Sequence, residues 1–126
     1  MKYIVVLGRF LYSLIFVLAA FGHFTRNSID HAAAQGVWLP EILVPLSGVM
    51  CLVGGLSVML GYKAKLGAWI LFLFLVPVTL VMHQFWAFQD PITAMIERIM
   101  FMKNLSLIGG ALLIAYFGSG PLSLKH

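Results

Sequence analysis

Charge is what this sequence has least of. Only 10% of its 126 residues are Asp, Glu, Lys or Arg, against 62% hydrophobic. A water-soluble domain of this length needs far more polar surface, so a soluble globular protein is excluded. Cysteine is nearly absent as well. Cys51 stands alone, which excludes a dithiol oxidant unless a partner supplies the second thiol. Walker, nucleophile-elbow and paired-cysteine motifs are missing, and with them the common nucleotide-dependent and hydrolytic chemistries. Short alternating polar and apolar stretches are missing too, which excludes a membrane β-barrel. With no water in the bilayer core, helices remain the way to satisfy every backbone group.

What is present is four apolar runs, each near the roughly 20 residues that cross a bilayer. They cover about 3–24, 39–60, 66–88 and 99–117. The fold class expected is an all-α, four-helix membrane bundle forming a single domain over 1–126. The first run has Lys2 before it and Ala19-Ala20 near its end, in the manner of a signal peptide. Its length, its internal Arg9 and the want of an A-x-A site favour a retained span. Four spans put the two termini and the 61–65 break on one face. That face carries Lys2, Lys63, Lys65 and Lys125 and no acid, whereas the other mixes Asp30, Glu41, Asp90 and Glu97 with Arg26, Arg98 and Lys103. The positive-inside rule then places both termini in the cytoplasm. The net charge of +4 is thus loop asymmetry, and no nucleic-acid partner is expected.

Two further patterns concern packing. Ser47, Cys51, Gly54, Val58 and Gly61 share one helical face, and Gly109-Gly110 promise similar close approach in the last span. Pro45 and Pro77 are candidate kinks. His23-Phe24 and His83-Gln84-Phe85 echo one another, as do Leu52-Val53-Gly54-Gly55 and Leu107-Ile108-Gly109-Gly110, which suggests a parallel repeat of a helix pair. Ala32-Ala33-Ala34 favours a short interfacial helix in the longest loop.

Ionisable side chains in a bilayer cost several kcal/mol, on the order of 3 or more at the centre, so each demands a reason. His23, Glu41, His83 and the pair Lys103-Asn104 come from four different spans yet fall at one depth, near the outer ends. Arg9 lies roughly 9 Å past Tyr3, at the opposite end. It stands fourteen positions before His23, with Ser13, Phe16 and Ala20 continuing the stripe. Arg9 either snorkels to headgroups or turns inward. Glu41 is either a first-turn acid or the partner that Lys103 needs. The histidines either bond across helices or serve a ligand. Two histidines at one depth also admit haem, and Met82, Met95, Met100 and Met102 admit copper(I). A bound metal or haem is the weaker alternative, since Met in an apolar bundle is ordinarily packing.

At these residues the chain resembles the DoxX family of small four-helix membrane proteins. The resemblance runs through Gly8-Arg9-Phe10-Leu11, Phe16 and Gly22-His23-Phe24, then Gly54-Gly55-Leu56 and Leu60-Gly61. It continues through Gly67-Ala68, Pro77, His83, Phe85 and Trp86, and ends on Lys103-Asn104-Leu105, Gly109-Gly110 and Leu112-Leu113. It implies a redox-linked subunit in a bacterial inner membrane, since some such proteins are associated with thiosulfate:quinone oxidoreduction. A quinone-like ligand would occupy the outer cluster of His23, His83, Lys103 and Asn104. Phe85 and Trp86 would lie against its ring, Glu41 beside Lys103, and Arg9 on an anionic headgroup or in a structural role. No catalytic residue is implied, electrons would come from a partner or a bound cofactor, and a protein partner or homo-oligomer is expected. The competing expectation is a non-enzymatic scaffold, assembly factor or cargo-type interaction protein, since broader relatives act as cargo receptors and chaperones.

Overall fold

A computed structural model describes residues 2–124, leaving Lys125 of the lysine-rich face outside the described residues. Five α-helices and one short 3₁₀ turn make up the chain. They are α1 (Lys2–Gly22), α2 (Arg26–Ala34), α3 (Pro40–Leu60), α4 (Ala64–Met82) and α5 (Pro91–Phe117), with the 3₁₀ turn at Phe85–Ala87. Helices α1, α3, α4 and α5 are long and apolar enough to cross a bilayer. At about 1.5 Å per residue, the 21 residues of α1 and α3 match a hydrocarbon core of roughly 30 Å. Their outer faces carry large apolar side chains such as Leu18, Phe21, Leu73, Ile99 and Leu113, all exposed on the isolated chain. Against lipid this is the correct polarity.

The helices pack in the order α1 on α3, α3 on α4 and α4 on α5. Small residues set these approaches. Where α3 crosses α4, a Cβ on Gly67 would stand 2.4 Å from Ser57 Oγ, and one on Gly54 would stand 2.8 Å from Leu71 Cγ. Gly55 does the same for α1, with Phe16 and Val17 directly over it. Close backbone approach is how membrane helices gain van der Waals contact that lipid does not offer. The core between them is Phe16, Ala20, Cys51, Val58, Ala64, Leu71 and Leu75. Tyr12 of α1 reaches α5 and closes the ring. Tyr12 donates its hydroxyl to Leu107 O, and its ring lies over Gly110, where a Cβ would meet Cε1 at 2.6 Å. Gly109 has open space above it, so of the expected Gly109-Gly110 pair only the second makes a close approach.

Element ends differ from expectation in two places. Helix α5 starts at Pro91, eight residues before the apolar run at 99. Asp90 caps it, accepting from Thr93 N at 3.2 Å and Thr93 Oγ1 at 2.6 Å, and Pro91 takes the first helical position. Glu97 and Arg98 hide that start from a hydropathy reading, because a capped helix extends past the bilayer edge at little cost. Helix α4 stops at Met82 rather than near 88, because His83 leaves helical geometry at φ −126° and ψ 54°. The expected loop helix exists as α2, capped by Thr25, whose hydroxyl accepts from Ser28 N at 3.3 Å. Pro45 and Pro77 both sit inside continuous helices.

Candidate functional site

The bundle has two ends with different polar chemistry. At the end holding the chain termini, Arg9 is buried along the stripe Arg9, Ser13, Phe16 and Ala20. Its guanidinium donates from Nη1 to Ser119 O at 2.8 Å and Ser123 Oγ at 2.9 Å, and from Nη2 to Leu122 O at 3.0 Å. Arg9 therefore turns inward and fastens the tail after α5 beneath the bundle. The tail's Leu124 N also bonds Leu60 O at 3.3 Å. Gly61 makes room, since a Cβ there would sit 2.6 Å from Arg9 Nη1, and its φ of +70° favours glycine in any case. Among the described residues only Arg9 Nε is a fully buried side-chain polar atom without a partner. Arg9 thus lies at the opposite end from the histidines, bound to the protein's own backbone.

The loop end is organised around a small cavity of about 160 Å³ between α1, α4 and α5, with α3 behind it. His23, His83, Lys103 and Asn104 all line it, together with Cys51 and an apolar wall that includes Phe16, Phe74 and Leu107. The four polar residues expected at one depth are thus brought to one site. His23 follows the end of α1. Its Nδ1 lies 2.6 Å from Ser47 Oγ on α3, and its ring meets Phe74 edge-on at 5.6 Å. Gly48 permits this, because a Cβ there would stand 2.7 Å from His23 Cβ. His83 follows the end of α4, and its Nδ1 lies 2.8 Å from Glu97 Oε2 on α5. Asn104 as a residue is 6% exposed; its amide atoms keep access to the cavity and make no hydrogen bond among the described residues. Lys103 is exposed at the rim, with Nζ 3.7 Å from Met100 Sδ.

A second, larger hollow of about 650 Å³ runs between α2, α3 and α4. Its walls are mainly apolar, including Trp38, Met50, Pro77 and Val81. It shares His23, Phe74, Val78 and His83 with the small cavity.

Three expectations fare differently. Glu41 does not pair with Lys103. It faces Arg26 at 3.4 Å, and Arg26 also meets Asp30 at 3.2 Å. The reason is topological: α3 and α5 each pack on α4 from different sides, while α2 lies on α3 and brings Arg26 over its first turn. Phe85 and Trp86 line neither hollow. They form an edge-to-face cluster with Phe101, at 5.4 and 5.9 Å between ring centres. Glu97, Ser47 and Cys51 belong to the site although the sequence did not mark them for it. Glu97 had looked like a loop acid, and its place on the first turns of α5 became visible only with the Asp90 cap.

A model of the SURF4 family matches residues 2–126. The chain is also similar to "Inner membrane protein YqjF" of Escherichia coli (strain K12). It is 28% identical over 122 residues, which cover 97% of this chain and 89% of that protein. No solved structure matches. The family match overturns the resemblance to DoxX. Most of the residues that carried it are glycines and large apolar residues, which membrane bundles use whatever their ancestry.

Proposed function

Since this chain belongs to the SURF4 family and is an integral inner membrane protein, we propose that it binds a small lipophilic molecule with a polar head group at the loop end of its bundle. The observation that carries this reading is Asn104. Asn104 is 6% exposed as a residue, and the polar atoms of a side chain placed so deep ordinarily bond to protein. Its amide instead faces a cavity that His23, His83 and Lys103 also line. A ligand that enters the cavity supplies the partner, a hydrogen bond worth about 0.5–1.5 kcal/mol net. The neighbouring apolar hollow suits the ligand's tail. A quinone-like molecule is one candidate of this shape. The redox partnership drew its support from the DoxX resemblance and goes with it.

Orientation follows from charge. Lys2, Lys63 and Lys65 lie at the terminal end, and the acids lie at the loop end. We place the termini in the cytoplasm and the cavity toward the outer leaflet. A reporter fused to the C-terminus should be active only in the cytoplasm; a periplasmic signal would reverse the assignment.

The binding reading is tested by solvent extraction of the purified protein and mass spectrometry of what copurifies, with decylubiquinone titration alongside. The parent should carry a lipophilic species that Asn104→Leu loses while still folding. Identical extracts from both, with no quinone binding, would favour the scaffold or cargo-type role instead.

A further inference from the structure

A neutral imidazole has one donor nitrogen and one acceptor nitrogen, and the bond made by one fixes what the other offers. At His23 the neighbour is Ser47 Oγ, 2.6 Å from Nδ1. Ser47 Oγ also stands 2.6 Å from Val44 O, which can only accept; with the hydroxyl proton directed there, His23 Nδ1 donates. At His83 the neighbour is the Glu97 carboxylate, 2.8 Å from Nδ1. A carboxylate accepts only, so His83 Nδ1 donates as well. In its neutral form each ring therefore keeps its proton on Nδ1 and holds Nε2 as a lone-pair acceptor. Both rings line the cavity that contains the Asn104 amide.

Resting on the ligand-binding reading above, we infer that the head group carries a hydroxyl on a single ring, as a phenol or cyclic alcohol does. Its O–H donates to an imidazole Nε2, and its oxygen accepts from the Asn104 NH₂. A hydroxyl answers both needs with a single oxygen. A carbonyl-only head sets acceptor against acceptor at the imidazoles. A hydrocarbon head leaves Asn104 as it stands. A carboxylate would draw on Lys103, but that ammonium lies exposed at the rim beside Met100. Size agrees with one ring. The cavity is about 160 Å³, close to the roughly 150 Å³ of an engineered cavity that holds benzene. An alkyl tail would continue into the larger hollow, past the shared His23, Phe74, Val78 and His83.

The test compares four probes of one length on the full chain in lipid nanodiscs: para-octylphenol, octylbenzene, para-octylacetophenone and para-octylbenzoate. Binding is read as the excess over empty nanodiscs. The phenol should bind at least roughly tenfold more tightly than the hydrocarbon and the ketone, the worth of one or two buried hydrogen bonds. Asn104→Leu and His23→Phe should erase that preference. Ser47→Ala is a gentler variant, because it frees the His23 tautomer, leaves the lining of the small cavity intact and changes only a hydroxyl on the larger hollow; it should narrow the preference while the protein keeps its thermal transition. Equal binding of phenol and ketone, or tightest binding of the benzoate, would overturn the hydroxyl assignment. If those probes still depend on Asn104, the ligand-binding reading survives without it. If no probe exceeds the empty nanodisc, both fall.

Discussion

The two ends of this bundle meet the same difficulty in opposite ways. Each buries polar groups where water is scarce. At the terminal end the chain answers itself for the most part: Arg9 finds three acceptors on the tail, and only its Nε is left over. At the loop end the histidines are answered by Ser47 and Glu97, while the Asn104 amide opens on the cavity and makes no bond among the described residues. Bonds to the chain's own groups make a structural fastening, and an amide open to a cavity makes a place for something else. The contrast separates residues that hold the fold from residues that await a ligand, although both groups look alike in sequence as polar intrusions in apolar spans.

The largest expected effect is on the terminal end. Arg9→Leu removes the guanidinium's three bonds to the tail and should destabilise the protein by about 3 kcal/mol or more. Thermal unfolding in detergent, with protease nicking of the tail, would measure it. Arg9→Lys should recover only part, since an ammonium cannot reproduce the planar fork. If Arg9→Leu unfolded like the parent, the terminal end would not be a fastening.

Next comes the helix crossing that the terminal end leans on. Gly67→Val drives side chain into Ser57, where even a Cβ has only 2.4 Å. A loss of about 1–3 kcal/mol is expected from overpacking. Gly109→Ala is the matched control. It meets open space and should be neutral or stabilising by roughly 0.5–1 kcal/mol through helix propensity.

At the loop end the expected pattern inverts. Asn104→Leu should change stability by less than about 1 kcal/mol, because no bond is lost, while abolishing ligand retention. A large destabilisation would mean that Asn104 is structural and would erase the contrast. Lys103→Met should be smaller still, within about 0.5 kcal/mol, since Glu41 belongs to Arg26.

The smallest effect lies at the surface. The Thr93 hydroxyl and amide hold the Asp90 carboxyl below its ordinary range. A depressed folded value means that the cap is in full force above the ordinary carboxylate pKa and is lost as pH falls through the lowered one. NMR titration should show Asp90 moving back toward its ordinary range in Thr93→Val.

Much of this was legible beforehand, for identifiable reasons. Bilayer thickness fixes span length, so hydropathy finds the four crossings. Helical period fixes the stripe Arg9, Ser13, Phe16 and Ala20, so its burial was visible. Shared depth brought His23, His83, Lys103 and Asn104 together. Partners across helices were not legible, because they depend on the ring order α1, α3, α4, α5. Glu41 was therefore assigned to a lysine on a helix that α3 does not adjoin, and Glu97 was left in a loop. Phe85 and Trp86 neighbour His83 in sequence, but the break after Met82 turns them onto Phe101 instead. Ancestry is not legible in such residues, because glycines and apolar side chains in membrane spans record the demands of the bilayer more than descent.

The fastening of Arg9 also sets a timetable for biosynthesis. Arg9 and Ser119 are 110 positions apart. At roughly 5–20 residues per second of translation, the acceptors reach the membrane on the order of ten seconds after the arginine. Until then α1 holds a cation without its partners in the bundle, and the long side chain can reach the headgroups instead. The bonding of α1 thus waits for α5 and the tail that follows it, which puts the fastening of an early helix after the insertion of a late one.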